Sequence, residues 1–330
     1  MPSPARLLPL LGLLVACSGK PASDAAADSG AGDTAPAGPA ALATLSDGAC
    51  PDMTTSGTST FQSSGEDRQV TVIIPSSPQP KMAVDFFFHG VTDPSTTSNP
   101  GGDTATGLGL QALADSTNTV WIVPDAPVQN LLGVMNVYLW DLAQTDDHDL
   151  VLYDDLRTCV GQNLDVDLSR LSTVGFSGGA LWNTVVLGNR ADTIATAVEL
   201  SGGSDVVVSG YNNNAPISVY NSPVTNIPVL LTTGADGEDV WPSKSMVVVD
   251  FWAASNTLQG KLYDDSHFVV RCADSNGHVM GNKDWNIAQA WIANQTYGGA
   301  SEFQANGLGS DASWCADVTS DTVDTGTSGS

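Results

Sequence analysis

Residues 173–182 read TVGFSGGALW. A serine between glycines at the end of an apolar run packs nothing, and glycines cost stability unless the backbone must do something unusual. Residues 171–176 have the apolar, β-branched character of a buried strand, and residues 179–189 read as a helix. Gly175-Phe176-Ser177-Gly178-Gly179 lies at their junction and fits G-x-S-x-G. Small residues two before and two after the serine allow strand and helix to approach closely. The serine then occupies a strained turn with its Oγ projecting from the carboxyl edge of the sheet. The amides of the following helix point at the same spot and favour developing negative charge.

A nucleophilic serine needs a base, and the base needs an orienting acid. In this strand–turn–helix context the chain order is serine, then acid, then histidine. After Ser177, the run PVLLTTG at 228–234 reads as a strand and turn that delivers GADGEDVWP. Asp236, nearer the strand end, is the expected acid. Asp239, before an apolar pair, is the alternate, and Glu238 comes third. CADSNGH at 272–278 then places His278 on a loop between a strand-like run and a helix. His267 also follows Ser177 but lies at the start of the strand. His89 precedes the serine, and its expected work is loop packing and hydrogen bonding. Two amides should form an oxyanion hole: Gly178 N–H beside the nucleophile, and Val91 N–H in the loop after FFFHG at 86–90.

Around this centre, short apolar runs alternate with helix-like segments. Strands are expected at 70–74, 82–88, 119–123, 171–176, 193–200, 228–232 and 261–270. Helices are expected at 108–114, 150–162, 180–189, 246–258 and 284–294. The alternation predicts an α/β fold with a mostly parallel, doubly wound sheet and helices on both faces. Tyr138, Trp140 and Trp182 are candidates to line an acyl pocket, or else to pack the core.

The chain of 330 residues carries 11 Lys and Arg against 36 Asp and Glu, a formal charge of −25. This excess argues against nucleic acid, which needs clustered cations, and against electrostatic docking on anionic lipid. Residues 1–16 read as a lipoprotein signal peptide, with an apolar run too short to span a bilayer ending at Leu14-Val15-Ala16-Cys17. Cleavage there would leave Cys17 to be acylated and the protein exported and anchored to a membrane surface. Residues 17–48 are mostly Ala, Asp, Ser, Gly and Pro with almost no large apolar side chains, and the stretch 318–330 has the same character. They are expected to be a disordered tether and tail, leaving 49–317 as the folded domain. In an exported protein the remaining cysteines suggest two disulfides in one of three connectivities, with Cys50–Cys315 and Cys159–Cys272 expected. The four histidines are scattered, no zinc spacing is present, and no cofactor is expected. A monomer is expected.

FFFHG, YDDLRTCVGQNLDVDLSRLSTVGFSGGA, PVLLTTGAD and the GH before a last helix together resemble the polyhydroxybutyrate depolymerase and feruloyl-esterase-like group of α/β-hydrolases, over about residues 68–297. The resemblance implies ester hydrolysis through Ser177, Asp236 and His278. The acid loop is longer and more acidic than that group's pattern, and SNGHVMGNKDW lacks the proline that commonly follows the histidine. Two other readings use the same scaffold: a non-catalytic lipoprotein that binds carbohydrate or protein, and a serine peptidase.

Overall fold

The computed structural model describes residues 38–309 and 312–319. Cys17 and the expected signal peptide lie outside the described residues. The described residues form a nine-stranded sheet and two separate two-stranded hairpins.

The sheet opens with an antiparallel pair, β1 (Gly57–Ser63) and β2 (Glu66–Ile73). It continues through β4 (Thr119–Pro124), β3 (Met82–Phe88), β7 (Val166–Phe176), β8 (Thr196–Leu200), β9 (Val229–Thr233) and β12 (Val269–Ala273), all parallel to one another. A short antiparallel strand, β13 (Cys315–Asp317), closes the far edge. The interior strands β4, β8 and β9 are buried along their whole length, and β3 and the second half of β7 nearly so, which is why these runs read as largely continuous apolar stretches rather than alternating ones.

Each face of the sheet carries its own core. One face is covered by α3 (His148–Asn163), α4 (Gly178–Arg190) and α5 (Phe251–Asp264), through residues such as Leu156, Val185 and Leu258. The other is covered by α1 (Pro100–Gly107), α2 (Leu110–Thr117) and α6 (Asn282–Ile292), through Leu110, Ala288 and Trp291. A short helix, α7 (Glu302–Asn306), follows.

Four expectations are corrected. Residues 246–258 are not one helix: β10 (Val240–Ser243) and β11 (Met246–Asp250) form a hairpin, and α5 begins only at Phe251. The β-branched run MVVVD favours the strand, and the Asp250 carboxylate caps the helix by accepting from Ala253 N–H at 3.0 Å. Residues 261–270 are likewise divided, because α5 continues through Lys261 to Asp264 and β12 starts at Val269.

The disulfides are Cys50–Cys159 and Cys272–Cys315, not the expected pairs. Cys272 and Cys315 are direct cross-strand partners of β12 and β13, a neighbourhood that no spacing reveals.

Finally, residues 38–48 are not tether. Ser46 donates its backbone and hydroxyl hydrogens to Asp155 on α3, Arg157 donates to the carbonyls of Ala40 and Ala41, and Thr158 to that of Ala43. Polar groups of a helix more than a hundred positions away hold the segment in place, while Leu45 packs against the core and Leu42 lies beside Gly161 of α3. At the other end Val318 N–H still pairs with Val269 O at 2.9 Å.

Candidate active site

Ser177 sits at the turn from β7 into α4 with φ 57° and ψ −123°, a left-handed conformation that a non-glycine residue holds only when its surroundings impose it. The surroundings are tight. A Cβ at position 179 would lie 2.0 Å from Phe88 O, and one at position 175 would lie 2.3 Å from Gly179 O. Only glycine at both places lets α4 reach the sheet. Ser177 N–H is held by Leu200 O at 3.0 Å.

The Ser177 Oγ lies 2.8 Å from His278 Nε2, and His278 Nδ1 lies 2.8 Å from Asp239 Oδ1. A carboxylate accepts only, so Nδ1 carries the proton and Nε2 accepts from the serine hydroxyl. The second oxygen of Asp239 accepts from Gly234 N–H and from the Ser201 hydroxyl, each at 2.9 Å. Asp239 is fully buried with all of these partners, and its orientation is fixed by them.

The favoured acid of the sequence reading is therefore corrected. Asp236 is exposed in a turn where Glu238 and Asp239 both donate backbone N–H to Ala235 O. Asp239 ends that turn and opens the β10–β11 hairpin. Val240 pairs with Asp250 across the hairpin, and Phe251 N–H donates to Asp239 O at 2.9 Å. The base of the hairpin thus pins the Asp239 backbone while Ser201 and Gly234 pin its side chain. Ser201 was not singled out from the sequence. Its one signal is the position of SGG immediately after β8, the strand next to that of the nucleophile.

The two expected oxyanion amides are adjacent. A Cβ on Gly178 would lie 3.4 Å from Val91 N, and neither amide donates to a carbonyl among the described residues. His89 has a different place. Its Nε2 accepts from Ala126 N–H at 3.0 Å, its Nδ1–H donates to Gly90 O at 2.7 Å, and its carbonyl accepts from Trp140 Nε1–H at 3.0 Å. Burial pushes its imidazole down to about 4, so it is neutral and acts as a brace for the loop carrying Val91. His267 is also buried, on Ile227 and Tyr220, away from Ser177.

This combination — a mostly parallel sheet, helices on both faces, and a strained serine between strand and helix — decides the architecture. The fold is that of the α/β-hydrolases. Solved structures with this fold include a pOPH variant in complex with DMSO, with TM-score 0.62 and 16% identity over 82% of this chain and 95% of that one. A thermostable esterase gives TM-score 0.50 and 17% identity over 73% of this chain and 63% of that one. An acetyl xylan esterase from Aspergillus awamori gives 0.50 and 13% over 72% and 99%. No protein-family profile matches the chain, and no curated protein matches it.

Beside Ser177 lies a narrow apolar pocket of about 40 Å³. Leu139, Leu181, Val208, Ile217, Trp241 and Phe251 are among the residues that line it, with Gly178 and Val91 at its base. The three aromatic candidates are not in this wall. Trp140 and Trp182 stack on each other at 6.0 Å inside the core, and Tyr138 belongs to the hairpin of β5 (Val128–Leu131) and β6 (Met135–Tyr138). Among the described residues no three His, Cys, Asp or Glu side chains gather as a metal site.

Proposed function

We propose that the protein is an exported serine esterase. The observation that carries this reading is the unbroken hydrogen-bonded series Ser177–His278–Asp239, set beside an apolar pocket and two amides that are unpaired among the described residues. Ser177 attacks the ester carbonyl and His278 takes its proton. The tetrahedral oxyanion accepts from Gly178 and Val91 N–H. His278 then protonates the leaving alcohol, and water repeats the sequence to release the acid. Asp239 holds the imidazole in the tautomer that leaves Nε2 free to accept, and stabilises the imidazolium as it forms.

The pocket wall combines aliphatic side chains with Tyr211, Trp241 and Phe251 and carries no charged side chain, which favours an uncharged, apolar acyl group. The fold shared with proteins described as esterases supports ester chemistry. Two disulfides favour an oxidising compartment, in line with export and acylation at Cys17.

The test is hydrolysis of p-nitrophenyl esters of rising acyl length by the wild type and by Ser177→Ala. The variant should fold and lose activity by a factor on the order of 10⁶. A folded variant that keeps most of the activity would remove Ser177 from the mechanism. Acyl mass on the N-terminal peptide of the mature protein, abolished in Cys17→Ala, tests the anchoring.

A further inference from the structure

The imidazole of His278 has an aromatic ring on each side. The Phe251 ring lies 4.1 Å away, centroid to centroid, at 12° to the imidazole plane. The Phe176 ring lies 5.4 Å away at 17°. Phe251 belongs to the apolar pocket on one side of the site. Phe176 lines a separate cleft of about 490 Å³, together with Trp285, Met280 and Gly90. The imidazole thus stacks near-parallel against one ring of the pocket and one ring of the cleft.

We propose that Phe176 and Phe251 are positioning residues that clamp the His278 ring between two aromatic faces. The proposal rests on the serine-esterase reading. Hydrogen bonds at Nδ1 and Nε2 fix the ring along one line, from Asp239 to Ser177, but they leave it free to roll about that line. Two stacked faces remove this freedom. They also place negative quadrupole density above and below a ring that becomes cationic when it accepts the serine proton. The stabilisation is greater for the imidazolium than for the neutral ring, so it favours the transition state over the resting enzyme.

The clamp is built into the chain on both sides. Phe176 is the residue before the nucleophile, at the end of β7. Phe251 is the first residue of α5, and its backbone N–H donates to Asp239 O. The β10–β11 hairpin thus starts at the acid that orients the imidazole and ends at a ring that covers it. Acid and ring are positioned by one element, whose two ends are tied by the Val240–Asp250 pair.

The experiment uses p-nitrophenyl acetate, whose short acyl group has little surface to pack against the pocket wall, so changes in acyl packing contribute little. Phe176→Leu and Phe251→Leu keep apolar bulk and remove the ring face. Each should lower kcat about tenfold with KM within about twofold of wild type. Phe176→Tyr keeps the ring, has room for its hydroxyl in the cleft, and should retain at least about half of the wild-type kcat. Melting curves establish that each variant is folded, and if Phe251→Leu fails to fold, the two Phe176 variants decide the matter alone. Folded leucine variants with wild-type kcat, a change confined to KM, or a tyrosine variant as slow as the leucine one would each overturn the clamp. Ser177→Ala in the same assay separates the readings: an active Ser177→Ala defeats the esterase mechanism, whereas an inactive one beside fast leucine variants defeats only the clamp.

Discussion

The serine turn at 173–182 and the acidic loop at 234–250 supply neighbouring groups of one candidate site, yet they are specified in opposite ways. The turn is determined locally. Gly175, Ser177 and Gly179 lie within five positions, and each is required by contacts with its own strand and helix or with the strand end next door. The acid loop holds four carboxylates, at Asp236, Glu238, Asp239 and Asp250, with little local preference among them. Asp239 is selected by Ser201, Gly234 and the closure of the hairpin onto Phe251. A catalytic group held by its own backbone can be read from a short motif, and one held by distant partners cannot.

The sharpest way to break this comparison is to exchange the acids. Asp239→Asn should lower ester turnover by roughly 10⁴, because the amide supports the wrong imidazole tautomer. Asp236→Asn, at an exposed turn position, should stay within about twofold of wild type in rate and stability. The reverse ranking in kcat would show that the hairpin closes differently.

Disulfide pairing provides the next largest effect. Breaking Cys272–Cys315, which closes 43 residues, or Cys50–Cys159, which closes 109, should each cost about 4–5 kcal/mol in the chain-entropy account. Cys272→Ser and Cys315→Ser break the same bond and should therefore show the same fall in melting temperature. Peptide mapping without reduction identifies the pairs directly. A Cys159–Cys272 peptide would overturn the arrangement.

On the locally specified side, Gly179→Ala tests the close approach of α4 to β3. The added methyl meets Phe88 O, and the helix must retreat, at an expected cost of about 3 kcal/mol in denaturant unfolding. A variant of unchanged stability would show that the turn has slack.

The smallest expected effect concerns a second buried carboxyl. Asp239 has three hydrogen-bond donors. Asp85 in the middle of β3 is helped by Ser172 and by the charge of Arg170, and burial still pushes it up to about 8. The folded protein therefore binds a proton there that the unfolded chain releases above about 4. The associated stability is fully present below that pH and is lost as pH rises towards 8. Asp85→Asn should raise the melting temperature at pH 8 by a few degrees and leave it nearly unchanged at pH 4. An equal shift at both values would show that Asp85 is not protonated in the fold.

Much of this molecule is legible along the chain. The interior strands announce themselves because strands buried on both faces are apolar throughout. Ser177 and the Gly178 amide follow from the G-x-S-x-G context. His278 follows from its place on a loop between the last parallel strand and the last large helix. The 246–258 segment misleads because apolar residues on the β11 strand and on the first turn of α5 merge into one pattern, and the boundary is a single capping aspartate.

By itself, then, the sequence determined the alternating α/β plan, the strained serine and the order of serine, acid and histidine. These depend on interactions between residues close in the chain, or on burial that every residue of a strand shares. The tertiary structure alone decided which aspartate meets His278, which cysteines meet each other, and that residues 38–48 lie against α3. Each of those outcomes depends on a partner supplied from tens to more than a hundred positions away, and such a partner leaves no mark on the residues it selects.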